Sequence, residues 1–155
     1  MTDDKEQNAN SQASDKPSPI VLSIVICDTI IRDEQTKKIS LIGLFNAIRT
    51  DSFPCTHNQM HVYVALTEGH GKYKTEIRFI EAGGEVPIAG IVGELNFTSP
   101  LQIAELNTCW QKLHFKKPGE YIVEILCDGK PVGSRKFIVS KIDDAAPGTG
   151  PDMRK

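Results

Sequence analysis

The sequence predicts an all-β fold, an antiparallel β-sandwich of seven or eight short strands with little helix. Three observations carry that expectation. Tyr73, Thr75, Ile77 and Phe79 alternate strictly with Lys74, Glu76 and Arg78, and a period of two means one buried face and one wet face. Asp128-Gly129 separates two β-rich runs, and a DG pair so placed is the strongest short hairpin signal. Runs of β-branched and aromatic residues recur along the chain with turn residues about every 8–12 positions, the spacing of two-sheet β architectures.

The elements follow in chain order. Ile20–Cys27 is apolar on both faces, as a central strand is. Residues 28–38 read as a charged connection, after which Ile39–Phe45 resumes as a strand. Asp51-Ser52-Phe53-Pro54 breaks the chain before a strand at His61–Thr67. Gly69-His70-Gly71 turns the chain into Tyr73–Glu81, and residues 82–85 turn it again into Ala89–Phe97, where Ile91, Leu95 and Phe97 share a parity. Gly90 and Gly93 inside that run point to a bulge or close packing. Leu101–Thr108 reads either as a short helical turn or as strand leading into Cys109–Phe115. The last hairpin places Tyr121, Val123, Ile125 and Cys127 on one face and returns through Arg135–Ser140.

With 155 residues, 39% of them hydrophobic, the chain holds one domain. Residues 19–142 are expected to form it. Disordered tails are expected at 1–18, which has no apolar periodicity, and at 143–155, which contains Ala-Ala-Pro-Gly-Thr-Gly-Pro. The longest apolar run, Ile20–Cys27, falls far short of the roughly 20 residues a membrane span needs. Formal charge is 18 − 20 = −2; the two tails carry −2 and −1, leaving +1 for the middle. Nucleic acid is not an expected partner, because such binders present a basic face. The tight basic pairs here, Lys37-Lys38, Lys116-Lys117 and Arg135-Lys136, read as solvated turns and strand ends. The acidic N-terminus lacks the basic start of a secretory signal, so a cytoplasmic location is expected. In that reducing setting Cys27, Cys55, Cys109 and Cys127 read as free thiols, mostly buried as small hydrophobes.

Two stretches carry a resemblance. Phe115–Gly129, with its Pro118-Gly119-Glu120-Tyr121 entry and Asp128-Gly129 turn, looks like the paired last strands of immunoglobulin-like sandwiches. A bridge from Cys27 to Cys127 does not follow. The Trp of that pattern lies shortly after the first Cys, whereas Trp110 stands 110 − 27 = 83 positions on. The second stretch runs from Val25 to Glu34, continues through Ser40-Leu-Ile-Gly-Leu-Phe-Asn-Ala-Ile48 and reaches Phe53-Pro54. Taken with the ending, it is similar to a family of small bacterial proteins known only as a domain of unknown function. The resemblance spans roughly residues 20–140 and implies a β-sandwich with no catalytic residue to carry over.

Candidate chemistry is sparse. Cys55-x-His57-x-x-x-His61 has zinc-ligand residue types. In an extended strand the three share a face, but Cys55 and His61 lie about 20 Å apart at ~3.3 Å per residue. One metal joins them only if the chain folds back near Asn58-Gln59; the plainer reading is polar residues at a strand's start. Asp28, Asp33, Glu34, Asp51 and Asp128 could hold calcium if a sandwich gathered them at one end. Arg32, Lys37 and Lys38 share the first of those loops, and Asp28 and Asp128 have turn-forming work of their own. No nucleophile elbow, phosphate loop or zinc-protease helix occurs. His70 reads as hairpin chemistry, and His114, between Leu113 and Phe115, lies on an outer face. No catalytic, cofactor-binding or metal residue is therefore assigned.

Ile122, Leu126 and Ile138 face away from the core positions of the last hairpin. Either the long connections cover them, which is the preferred reading, or they form a partner patch. The sequence favours a non-enzymatic protein-interaction module, working through surface and edge-strand contacts with an unknown protein partner or a second copy. A calcium- or lipid-docking domain is the alternative, and a small hydrolase or metalloenzyme with a loop-assembled site stands third.

Overall fold

The computed structural model describes residues 16–143. The expected tails lie outside these residues, apart from Lys16–Ser18 and Asp143. The described residues form nine strands and no helix: β1 Ile20–Arg32, β2 Ile39–Leu44, β3 Ala47–Thr50, β4 Cys55–Thr67, β5 Gly71–Glu81, β6 Pro87–Phe97, β7 Ala104–Phe115, β8 Gly119–Cys127 and β9 Lys130–Lys141. One sheet has the order β2-β1-β4-β7 and the other β3-β9-β8-β5-β6. The all-β expectation holds. Three details differ. There are nine strands rather than seven or eight, β3 pairs with β9 in parallel, and the five-stranded sheet curls into a half-barrel where a sandwich was expected. Leu101 lies in a turn, and the ambiguous 101–108 stretch is strand from Ala104 onward.

The alternating positions found in the sequence supply the core. Tyr73, Thr75, Ile77 and Phe79 on β5 are buried, as are Tyr121, Val123, Ile125 and Cys127 on β8. From the four-stranded sheet they meet Ile26, Met60, Val62, Val64 and Leu66. A chain of rings joins the sheets. Phe79 packs edge-on to Trp110 at 4.8 Å and to Phe137 at 5.9 Å, and Phe115 meets Tyr121 at 4.9 Å. Such pairs add about 0.5–1.5 kcal/mol each beyond the area they bury. The Trp110 indole N–H, which burial would otherwise leave unpaired, donates to Thr108 Oγ1 at 2.8 Å.

One irregularity decides where side chains point. Along β4 and β7, His57 pairs with Leu113 and Gln59 with Gln111, while Lys112 between them has φ of 53°. Up to that point the inward positions are odd: Cys55, His57, Leu113 and Phe115. Beyond it they are even: Met60, Val62, Val64 and Trp110. The left-handed residue costs the strand a break in alternation and turns the sheet's inner face by one residue.

The two sheets meet along two seams. On one side β2 pairs only with Cys27–Arg32, so the first half of β1 lies against β9. Arg135 closes this seam. Its guanidinium donates to the Ile24 carbonyl at 2.6 Å and to Asn46 Oδ1. Gly133 permits the approach, because a Cβ there would sit 2.9 Å from Val21 Cγ2. Arg135 is thus an internal tie rather than the solvated strand end its charge suggests. The other seam, between β6 and β7, has no such tie among the described residues.

Candidate functional site

The residues singled out in the sequence do not converge. Because alternation breaks at Lys112, His61 points to the opposite face from Cys55 and His57. Its Nδ1 donates to the Asp28 carbonyl at 2.9 Å. His57 packs its ring against Phe45 at 5.8 Å, with Nε2 buried and unpartnered. The shared face assumed for the three is corrected, and no group of three His, Cys, Asp or Glu with metal-holding geometry occurs among the described residues.

Three of the five acidic candidates, Asp28, Asp33 and Asp128, have local contacts of their own. The Asp28 side chain lies over Gly43, where a Cβ would collide with it. Asp33 accepts from the backbone N–H of Gln35 and Thr36 and from the Thr36 hydroxyl, and these bonds hold its carboxyl below the usual Asp range. Glu34 is exposed in the same turn. Asp128 accepts from the Lys74 N–H at 2.9 Å and pairs with Lys16 at 3.4 Å. Asp128 precedes β9, while Asp51 follows Thr50, which pairs with Lys141 at the far end of β9. Twelve residues of strand separate them, about 40 Å at ~3.3 Å each.

His114 is exposed on the outer face, as alternation requires, with Nδ1 3.4 Å from the Thr56 hydroxyl. His70 is exposed at the tip of its hairpin. The four cysteines are free; Cys27 and Cys127 are buried, Cys55 half-buried and Cys109 exposed. Burial pushes the Cys27 and Cys127 thiols up. Tyr63 donates to Glu105 Oε1 at 2.5 Å, and burial together with that acceptor raises its hydroxyl to about 12.

Ile122, Leu126 and Ile138 do not form the partner patch that was the alternative to cover by the long connections. Leu126 is buried, Ile122 half-buried and Ile138 exposed. The Arg78–Glu124 ion pair, at 2.8 Å, stands between the Ile122 and Leu126 positions. Exposed apolar surface is concentrated elsewhere. Of thirteen large hydrophobics exposed among the described residues, six lie on β6 or its flanking loops: Val86 (80%), Ile88 (40%), Ile91 (47%), Val92 (55%), Leu101 (86%) and Ile103 (59%).

These residues border the open seam. β6 and β7 each end a sheet, so each has one unpaired edge among the described strands. Between them runs a cleft of about 220 Å³ whose apolar lining comes from Ile77, Ile91, Val92, Leu95 and Leu106. Nothing lies within 4 Å of a Cβ built on Gly93, so the strand is open there. Ile91 and Leu95 share a parity with the buried Phe97. Leu95 is half-buried against the core and Ile91 is exposed; both line the cleft, because closing the seam would need a β6–β7 ladder that the fold does not make.

Against this geometry, the profile of a family of unknown function, DUF6941, matches residues 22–140. The chain belongs to this family. The DUF6941 match runs from β1 into β9, so it coincides with the nine-stranded unit. No curated protein matches the sequence. Among solved structures, the chain is similar to Pseudomonas fluorescens alkylpurine DNA glycosylase AlkC bound to DNA containing an abasic site analog. Sequence identity is 11%, TM-score 0.45, and the match covers 76% of this chain and 30% of that one. The chain thus spans under a third of the glycosylase, and a likeness of this degree assigns no DNA-related role. No helix among the described residues is long and apolar enough to cross a membrane.

Proposed function

We propose that this DUF6941 domain is a non-enzymatic protein-interaction module that engages its partner along the β6–β7 seam. The observation that carries the reading is the coincidence of two unpaired strand edges with six exposed large hydrophobics. Unpaired edges template an added strand, and exposed apolar side chains beside them supply the area that ladder hydrogen bonds alone do not. Native edges are usually blunted by Lys or Pro. In β6 the only Pro is the first residue, and there is no Lys. The calcium- or lipid-docking alternative finds less support, since Asp51 and Asp128 stand at opposite ends of β9.

We also read the two sheets as an open, immunoglobulin-like sandwich. Its support is the Tyr121 hydroxyl, which donates to the Lys117 carbonyl four residues upstream at 2.6 Å, the bond of a tyrosine corner. Four free thiols suit a cytoplasmic setting.

The test is quantitative capture by the tagged full chain from its own lysate, with calcium and with chelator, beside the Val92→Lys variant. A stoichiometric partner kept in chelator and lost with Val92→Lys is expected. A partner kept only with calcium, or kept equally by the variant, would overturn the reading.

A further inference from the structure

The β6–β7 cleft is selective as well as sticky, and its lining indicates for what. We propose that it takes an extended segment of another protein with aliphatic side chains at alternate positions and a basic residue among them. This rests on the interaction reading above and names its partner class.

Extension follows from the edges. A strand laid along β6 or β7 satisfies backbone groups that neither neighbour reaches, and its side chains then alternate between cleft and solvent. Aliphatic character follows from the floor of Ile77, Ile91, Val92, Leu95 and Leu106. The basic residue follows from charge. The charged residues lining the cleft are Glu94 and Glu105, both carboxylates. Lys72 reaches Glu94 at 3.3 Å, but both side chains are more than half exposed, so the pair is weak and readily exchanged. Glu105 accepts from the Tyr63 hydroxyl through one oxygen, and a carboxylate has further lone pairs for an incoming cation.

The chain's own segments fit poorly. Residues 1–15 and 144–155 contain no Val, Ile, Leu or aromatic residue. A second copy of β6 would bring Glu94 as its only charge, an acid to an acidic cleft.

The experiment is fluorescence anisotropy on the full chain with four labelled, end-capped octapeptides. They alternate Val with Lys, Val with Glu, and Ser with Lys, and the fourth is the Val/Lys peptide with two Val replaced by Pro. The Val/Lys peptide is expected to bind about tenfold tighter than Val/Glu at low ionic strength, from two exposed carboxylates. The gap should narrow with added salt. Ser/Lys and the Pro peptide should bind weakly. Glu94→Gln with Glu105→Gln should abolish the gap by weakening Val/Lys binding while Val/Glu binding stays the same or tightens, a readout that misfolding would not give.

Equal binding of Val/Lys and Val/Glu overturns this inference and leaves the interaction reading standing. Binding of Ser/Lys as tight as Val/Lys overturns the aliphatic requirement. No binding by any peptide counts against both. A dimer in sedimentation that Val92→Lys dissolves identifies a second copy as the occupant and overturns the proposal.

Discussion

Replacing Arg135 with Met is expected to destabilise the fold by about 2–3 kcal/mol, because it unties the one seam the protein closes. The side chain spans from β9 to the Ile24 carbonyl at 2.6 Å and to Asn46 Oδ1, joining β1, β9 and the approach to β3. Hydrogen bonds from a charged donor contribute about 1.5–3 kcal/mol each. Partial exposure of Arg135 and the entropy of fixing a long side chain, about 1.5–2 kcal/mol, reduce the sum to the figure given. For a domain of this size each kcal/mol moves Tm by roughly 3–5 °C, so a fall of about 6–15 °C is expected. The assay is urea unfolding followed by fluorescence of Trp110, the single tryptophan, which reports from the ring cluster. Arg135→Lys keeps the charge but not the fork, and should recover less than half of the loss. Lys136→Met is the neighbouring control. Its pair with Glu120, 2.9 Å with Lys136 67% exposed, should matter by less than about 1 kcal/mol. If Arg135→Met lies within about 0.5 kcal/mol of wild type, or matches Lys136→Met, the tie is not what holds the seam.

Gly133→Ala should cost about 1–3 kcal/mol in the same assay by pressing β9 off Val21, whereas Gly93→Ala, facing open space, should lie within about 0.5–1 kcal/mol of wild type. Asp33 is held below its usual range in the folded state, so its contribution is present above the unfolded Asp value and lost as pH falls through the folded one. A carboxyl NMR titration should place its midpoint below that of an unfolded peptide, and Asp33→Asn should flatten the acid limb of stability against pH. Thiol labelling with Ellman's reagent should show Cys109 reacting first, half-buried Cys55 next, and Cys27 and Cys127 only at the rate of opening; a fast phase surviving Cys109→Ser together with Cys55→Ser would count against the burial described. Native spectrophotometric titration should show a phenolate near pH 12 that Tyr63→Phe removes, with the stability it lends lost between about pH 10 and 12.

The sequence makes legible what a single strand decides. Tyr73–Phe79 and Tyr121–Cys127 declare their buried faces by parity, and both pack inward. What it hides are relations between distant strands. β3 is four residues long and finds its partner in β9, some ninety positions away, so no local pattern announces it. Lys112 gives no warning of its left-handed φ, yet that one dihedral sends His61 away from Cys55 and His57. Arg135 beside Lys136 looks like surface charge until the Ile24 carbonyl is found across the seam. Leu126 has the parity of an exposed residue but lies buried, with Glu76 and Pro131 opposite it in the neighbouring strands. Ile91 and Leu95 share a parity, yet Leu95 packs against the core while Ile91 is exposed, and the missing β6–β7 ladder leaves both lining the cleft. The free thiols were readable; the location of the exposed apolar surface was not.

The most direct test of the seam as the working surface is in-cell photocrosslinking with benzoylphenylalanine placed singly at Val92, Leu44 and Ser134. Val92 lies in the cleft, Leu44 on the outer side of the four-stranded sheet, and Ser134 on β9 beside the closed seam. The account predicts a discrete protein adduct at Val92 that is missing or far weaker at the other two. An adduct of equal strength at Leu44 or Ser134, or none at Val92, would contradict it.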